Sequence, residues 1–385
     1  MFIDDYETEG IPERIIQLMR ALELDTLIDI CRRIKRGGNI TRTADYQLWR
    51  LKELSAFRGN YERAIKEILA ITDDELQMLY MEVVAAGYAR DKAIYEAAGA
   101  EWIPFEENTP LQQLIAAIMK QTHDEIENIT QTTGFINMDT GRFEPLNQYF
   151  INVLDKTHLE IATGATSYTQ ALKKAVDDMT ASGIRQVNYD NPGKRPWHNR
   201  IDVATRRAVM TGLAQVEGKI AEDNAERLQT EYFEVSAHPT ARPSHMLWQG
   251  RVYTKEQLQT VCGLGTVTGL LGANCYHHYD AFIPGISTRN WTDEQLTEMR
   301  QNALKKHVFR GKEYTLYEAT QRQRELETRM RAYRERERLL KEGGADEQTI
   351  AAARIKRAQA YREYKDFSKA MGLPEQIERV YNTKK

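Results

Sequence analysis

The chain has 385 residues, of which 41% are hydrophobic and 28% charged, with a net charge of −3. That charge gives no argument for nucleic-acid binding, and three cysteines, Cys31, Cys262 and Cys275, are too few and too odd for a disulfide framework and point to a reducing compartment. No stretch reaches the roughly 20 apolar residues of a membrane span, and the start Met1-Phe-Ile-Asp4-Asp5 lacks the basic and apolar runs of a secretory signal.

The expected fold is mainly α. A helical N-terminal body is expected over 1–230, a small α+β motif domain over 231–290, and C-terminal helices over 291–385. Pro12 suits a helix start, and Ile15, Ile16, Met19, Leu22 and Leu24 follow at near-helical spacing until Gly37-Gly38. Thr72-Asp-Asp-Glu75 has the spacing of a capping box, and Thr109-Pro110 that of an N-cap followed by proline. Leu111, Leu114, Ile118, Thr122, Ile126 and Ile129 form one stripe after it. Further helices are expected over 145–163, 168–182 and 201–228. In the last of these Ile201, Ala204, Ala208, Leu213, Val216 and Ile220 supply a buried side.

At Glu231 the pattern changes to the alternation of a strand, running to Ser236. Three prolines and six glycines between His238 and Thr288 then demand tight turns. After Trp291 helical spacing returns. Thr315-Leu-Tyr-Glu318 is a second capping box, opening a helix expected to run to Lys341 and end at Gly343-Gly344. Leu326, Met330, Tyr333 and Leu340 sit at a/d-like spacing there. A partner helix over about 346–371 carries Ile350, Ala353, Ala360, Tyr364, Phe367 and Met371, and Gly372 and Pro374 end it. The two are expected to form an antiparallel hairpin with coiled-coil-like packing. Tyr317, Tyr333, Tyr361 and Tyr364 would offer it amphipathic contact area.

The chemistry-bearing residues are His238, Arg242, His245, Trp248, Gly250, Asn274, Cys275 and His277. Thiolate and imidazole are zinc ligand types. The compact C-x-x-C or H-x-x-x-H pairs of structural zinc sites are missing, so no metal is expected and the residues are read as structural. Cys275 with His245 or His277, oriented by Asn274, has the residue types of a nucleophile and base. Spacing does not say whether they meet, and a small buried thiol is the plainer reading. Pro243 fixes the backbone beside Arg242, Trp248 is an apolar anchor, and Gly250 allows a turn into Arg251-Val-Tyr253. Gly263-Leu-Gly265-Thr-Val-Thr-Gly269 lacks the G-K-[ST] ending of a phosphate loop and is read as a flexible or hairpin loop. Glutamates interleave the basic run Arg329–Arg338, which is read as a solvated helix face.

Several segments taken together resemble one family. They are Glu234-Val-Ser-Ala-His238-Pro-x-Ala-Arg242-Pro-Ser-His245-x-x-Trp248-Gln-Gly250-x-Val-Tyr253, Asn274-Cys275-x-His277, Pro284-Gly285-Ile-Ser287, and Tyr314-Thr-x-Tyr317-Glu318-Ala-Thr320-Gln321-x-Gln323-Arg324. In order and spacing they are similar to the tailed-phage minor capsid proteins, the phage minor capsid protein 2 family. The likeness covers nearly the whole chain and is most distinctive from 200 onward.

The resemblance implies a low-copy structural virion protein, not an enzyme and without a cofactor. It would be made in the host bacterial cytoplasm with the head genes, associate with the portal during head assembly, with other head proteins as further candidate partners, sit in the capsid interior or at the portal vertex, and be a candidate to leave with DNA at ejection. Members often carry Arg where this chain has Tyr276, so no role rests on a basic side chain there. Some relatives carry a C-terminal toxin or enzyme domain; an end soon after the hairpin indicates no such cargo. The alternative from another class is a hydrolase or nuclease using Arg242, His245, Cys275 and His277.

Overall fold

The computed structural model describes residues 12–188, 197–272 and 275–380. Helices dominate: α1 (Glu13–Gly37), α2 (Thr43–Ala98), α3 (Thr109–Gln131), α4 (Leu146–Ala162), α5 (Tyr168–Ser182), α6 (Ile201–Arg227), α7 (Lys255–Thr260), α8 (Asp293–Leu304), α9 (Leu316–Gly343) and α10 (Glu347–Met371). The fold is a helical N-terminal region, a small sheet-containing region and a C-terminal helix pair. Strands β1 (Thr133–Ile136), β2 (Phe143–Pro145), β3 (Arg185–Asn188) and β4 (Trp197–Arg200) form an antiparallel sheet in the order β2-β1-β3-β4. Strands β5 (Tyr232–Val235), β6 (Val252–Thr254) and β7 (Tyr279–Phe282) form a second, in the order β6-β5-β7. The hairpin β8 (His307–Phe309) and β9 (Lys312–Tyr314) pairs with itself.

The chain gathers into two units of interleaved segments. One holds Thr72–Ile126 and Arg206–Gln321 with the described residues up to Arg14; the other holds Ile15–Ile71, Glu127–Thr205 and the chain from Arg322. Helix α2 is continuous through Thr72-Asp-Asp-Glu75, so that capping box does not form. Thr72 is fully buried, and burial along the helix outweighs the local preference of a Thr-Asp-Asp run for a helix start. The start of α3 also differs from expectation. Asn108 is its cap, its Oδ1 accepting the Leu111 N–H at 3.2 Å, and Thr109 lies inside the first turn. The α3 stripe is buried except at Leu114, 36% exposed, where Ile115 points inward instead.

In the unit that includes Arg206–Gln321, α6 packs close to α2 and α3. A Cβ on Gly212 would lie 1.9 Å from Tyr80 Oη, which hydrogen-bonds Thr122 Oγ1 at 2.7 Å, so only glycine fits. Tyr95 Oη donates to Asn224 Oδ1, and Asn224 Nδ2 to Asp91, tying the end of α6 to α2. Ala221 and Ala225 of α6 join Phe233, Val235, Trp248, Leu258, Cys262, Leu270, Cys275 and Tyr279 in one core, which seats the three-stranded sheet on the helix.

In the other unit the four-stranded sheet sits among α1, α4, α5 and the helix pair. Its strands are short and polar, yet Phe135 stacks on Tyr149 of α4 with ring centroids 4.2 Å apart. The C-terminal helices run antiparallel, as their cross-contacts show. Gln323 Nε2 donates to Ser368 Oγ at 3.0 Å, Tyr364 Oη to Glu327 at 3.4 Å, and Arg354 Nε to Glu337 at 3.2 Å. The box at Thr315 forms reciprocally with Glu318. All six apolar positions expected on α10 are buried, and Gly372 closes it at φ 66°. Tyr364 is therefore wholly inside the pair and offers no outer contact area.

A fully buried carboxylate joins this second unit's ends. Asp202, in the first turn of α6, accepts Arg20 Nε of α1 at 3.2 Å and Arg331 Nη1 of α9 at 2.6 Å. Beside it Arg200 Nη2 donates to Glu23 at 2.8 Å, and Glu23 accepts the Ile184 N–H at 3.0 Å. Burial alone would raise the Asp202 carboxyl, but the charges of Arg331, Arg20 and Arg200 outweigh it and hold the group well below the usual carboxylate range. Its contribution is thus present above the unfolded value, about 4, and is lost as pH falls toward the depressed folded value. Asp202→Asn should cost about 3–5 kcal/mol at pH 7, because it leaves buried guanidinium groups short of a counter-charge. Urea unfolding at pH 7 and at pH 3 measures this, and the gap between wild type and variant should narrow at the lower pH.

Candidate functional site

The motif residues meet on the three-stranded sheet. Strand β5 pairs with β6 on one side and β7 on the other, which sets the segment 236–250 beside the segment that enters β7. Ser236 N–H donates to His278 O, and Gly250 N–H to Ser236 O, holding the segments in register. Gly250 has φ 71°, and a Cβ there would lie 2.4 Å from Leu296 Cδ2. Glycine thus permits both the turn and the approach of α8. Glu234 on β5 accepts the Asn290 N–H and its Nδ2, each at 2.7 Å, pinning the chain ahead of α8.

His245 opens a single 3-10 turn, His245–Leu247, after Pro243. Cys275 and His277 lie on the approach to β7. The three side chains converge: His245 Nδ1 and His277 Nδ1 are 3.4 Å apart, Cys275 Sγ is 3.5 Å from His277 Nδ1, and Sγ is 3.8 Å from His245 Nδ1. All three are buried, with exposures of 2%, 7% and 2% for His245, Cys275 and His277. Trp248 covers them, its ring centroid 4.5 Å from that of His245 and 4.9 Å from that of His277. The apolar anchor expected at Trp248 is in place.

The remaining nitrogens are committed. His245 Nε2–H donates to the Thr268 carbonyl at 2.9 Å. His277 Nε2 lies 2.9 Å from Gln249 Oε1. That oxygen also accepts the His238 backbone N–H at 3.1 Å, which fixes the amide's orientation, so His277 Nε2–H is the donor. His238 Nδ1 meets Thr240 Oγ1 at 3.0 Å, and its ring lies 4.3 Å from that of His277. Arg242 reaches the Thr268 carbonyl at 3.5 Å. Asn274 lies outside the described residues. Gln249 and Thr268 are the partners that residue-type reasoning missed. The signal for Gln249 was its place inside Trp248-Gln-Gly250; Thr268 acts through its carbonyl, which no side-chain pattern reveals.

Burial pushes His245 down to about 4, against the Thr268 contact and with help from the Arg242 and His238 charges. Burial also holds His277 well below the usual histidine value. The Cys275 thiol is raised by burial, while hydrogen bonds from the backbone of His277, Leu271 and Gly272 and the Arg242 charge pull the other way. A nucleophilic pair needs a thiolate beside an imidazolium and access for substrate. Here the thiol is pushed up, the imidazoles are pushed down, and all three are covered. A cavity of about 420 Å³ lies elsewhere in the same unit, and none of its lining residues belongs to the motif. His245 Nδ1, Cys275 Sγ and His277 Nδ1 have the chemistry and spacing to hold a metal, as does the more exposed trio His123, Asp124 and Glu127; the first trio is the buried one.

The buried motif lies in a mainly helical chain. The family model for phage minor capsid protein 2 matches residues 3–368, and the chain belongs to that family. It is a structural capsid protein of a tailed phage. It is 19% identical to a protein called "Structural protein" of Lactococcus phage LL-H over 291 residues, covering 72% of this chain and 76% of the relative. No solved structure matches it significantly. Among the described residues, no helix is long and apolar enough to cross a membrane.

Gly250→Ala should destabilise the protein by about 1–3 kcal/mol through overpacking against Leu296 and a strained backbone. Thermal unfolding followed by circular dichroism checks this.

Proposed function

We propose that this capsid protein works at the portal vertex. In this reading it is made in the bacterial cytoplasm, binds the portal protein through exposed helical faces during head assembly, and becomes part of the virion. The observation that carries the reading is the family match along nearly the whole chain. The placement of the motif supports it, since a buried cluster contributes to stability and leaves recognition to the outer helices. Neither the portal contact nor the vertex location requires DNA binding, and a net charge of −3 gives no argument for it.

Of the two helices of the C-terminal pair, α9 is bound into its own unit: Arg331 reaches Asp202, and Arg334 donates to the Val380 carbonyl. Removing the pair would dismantle that unit along with any docking surface. Helix α10 keeps an outer face with Lys356, Arg362 and Lys365 exposed beside Ile355. An exposed isoleucine flanked by charged side chains, mostly basic, is a surface a protein partner can cover.

The test is co-purification of tagged portal protein with the full chain, wild type against a Lys356→Glu, Arg362→Glu, Lys365→Glu variant. Wild type should be retained by the portal. The variant should be retained several-fold less while melting at the wild-type temperature. Equal retention would move docking to the N-terminal helices, and no retention of the wild type would reject the portal assignment.

A further inference from the structure

The hydrogen bonds around the buried cluster leave a problem in electrostatics. His245 Nε2–H is used by the Thr268 carbonyl, and His277 Nε2–H by Gln249 Oε1, an oxygen identified by the His238 N–H. Each neutral imidazole carries one N–H, so both Nδ1 atoms present lone pairs. Those lone pairs face each other at 3.4 Å, with the Cys275 sulfur completing the triangle. A single S–H can satisfy one Nδ1. The other would be a buried acceptor facing a second lone pair, a cost of about 1–3 kcal/mol before repulsion is counted.

We propose that His245 Nδ1, Cys275 Sγ and His277 Nδ1 bind one zinc ion, which cross-links the 236–250 segment to the 268–279 segment. The edge lengths fit. With Zn–N near 2.05 Å and Zn–S near 2.3 Å, a tetrahedron has N···N edges of about 3.4 Å and N···S edges of about 3.6 Å. The three separations are 3.4, 3.5 and 3.8 Å. The outer contacts are those a bound metal uses: each ligating histidine donates its far N–H to an oxygen, which fixes ring and tautomer.

Three protein donors leave the fourth position of the tetrahedron to a small ligand such as water. Burial of all three ligands beneath Trp248 gives a substrate no access to that position, so the ion's role is to tie together residues 30 apart in sequence, where metal binding contributes directly to folding.

The test uses full-length protein purified without chelator or metal-affinity resin. Elemental analysis should find one equivalent of zinc, and cobalt(II) replacing it should give a thiolate-to-cobalt charge-transfer band with the intense visible bands of tetrahedral coordination. Chelation should lower the melting temperature, and zinc should restore it. Cys275→Ser should lose the charge-transfer band. If that variant does not fold, the wild-type cobalt spectrum decides alone. Folded wild type that stays substoichiometric after incubation with excess zinc and desalting would overturn the proposal. So would cobalt bound without the charge-transfer band, or a full equivalent of copper in place of zinc.

Discussion

The unit that includes the chain's C-terminal helices is organised by the need to keep Asp202 ionised away from water. An isolated buried carboxylate costs several kcal/mol even after relaxation. Arg20 from α1 and Arg331 from α9 must therefore reach one carboxyl at the head of α6. Arg200, next to it on the chain, is turned to Glu23, which also takes the Ile184 N–H. Four stretches far apart in sequence are fixed together by groups that have few other places to go.

The other unit applies the same logic with neutral groups. Strands of three and four residues bury little apolar surface, and the core they share with α6 is small. What sets the motif's geometry is the Gln249 amide. Its oxygen is claimed by the His238 N–H, which makes it an acceptor for His277 and turns the His277 Nδ1 inward. The Thr268 carbonyl does the same for His245. Two acceptors thus decide which face of each imidazole points to Cys275.

Much of this was legible because helices are local. The spacing of Ile350, Ala353, Ala360, Tyr364, Phe367 and Met371 named a buried face, and that face is buried. The ends at Gly37, Gly343 and Gly372 follow from backbone chemistry alone. The four-stranded sheet was not legible. Arg185-Gln-Val-Asn188 and Trp197-His-Asn-Arg200 carry no apolar alternation, and the pairing of the first with Thr133–Gly134 is non-local. Thr72 misled because the chemistry of a cap is local while the burial that overrides it is not. In the motif, the residue types were readable one by one. Their convergence was not, since the spacing between His245 and Cys275 acquires meaning only once β5 lies between β6 and β7.

The cluster also shows why residue type is a poor guide to chemistry. Cysteine beside histidine is the inventory of a thiol nucleophile, and the 3.5 Å contact between Cys275 and His277 would satisfy a search by distance. The surroundings decide otherwise. Desolvation favours the neutral form of both partners, so it works against the ion pair that makes a thiol reactive. Trp248 and the core around it supply that desolvation. The aromatic residue that gives the small sheet its bulk is thus also what keeps the thiol from acting as a nucleophile. In a protein whose task is to be part of a particle, the same burial turns reactive residue types into supports.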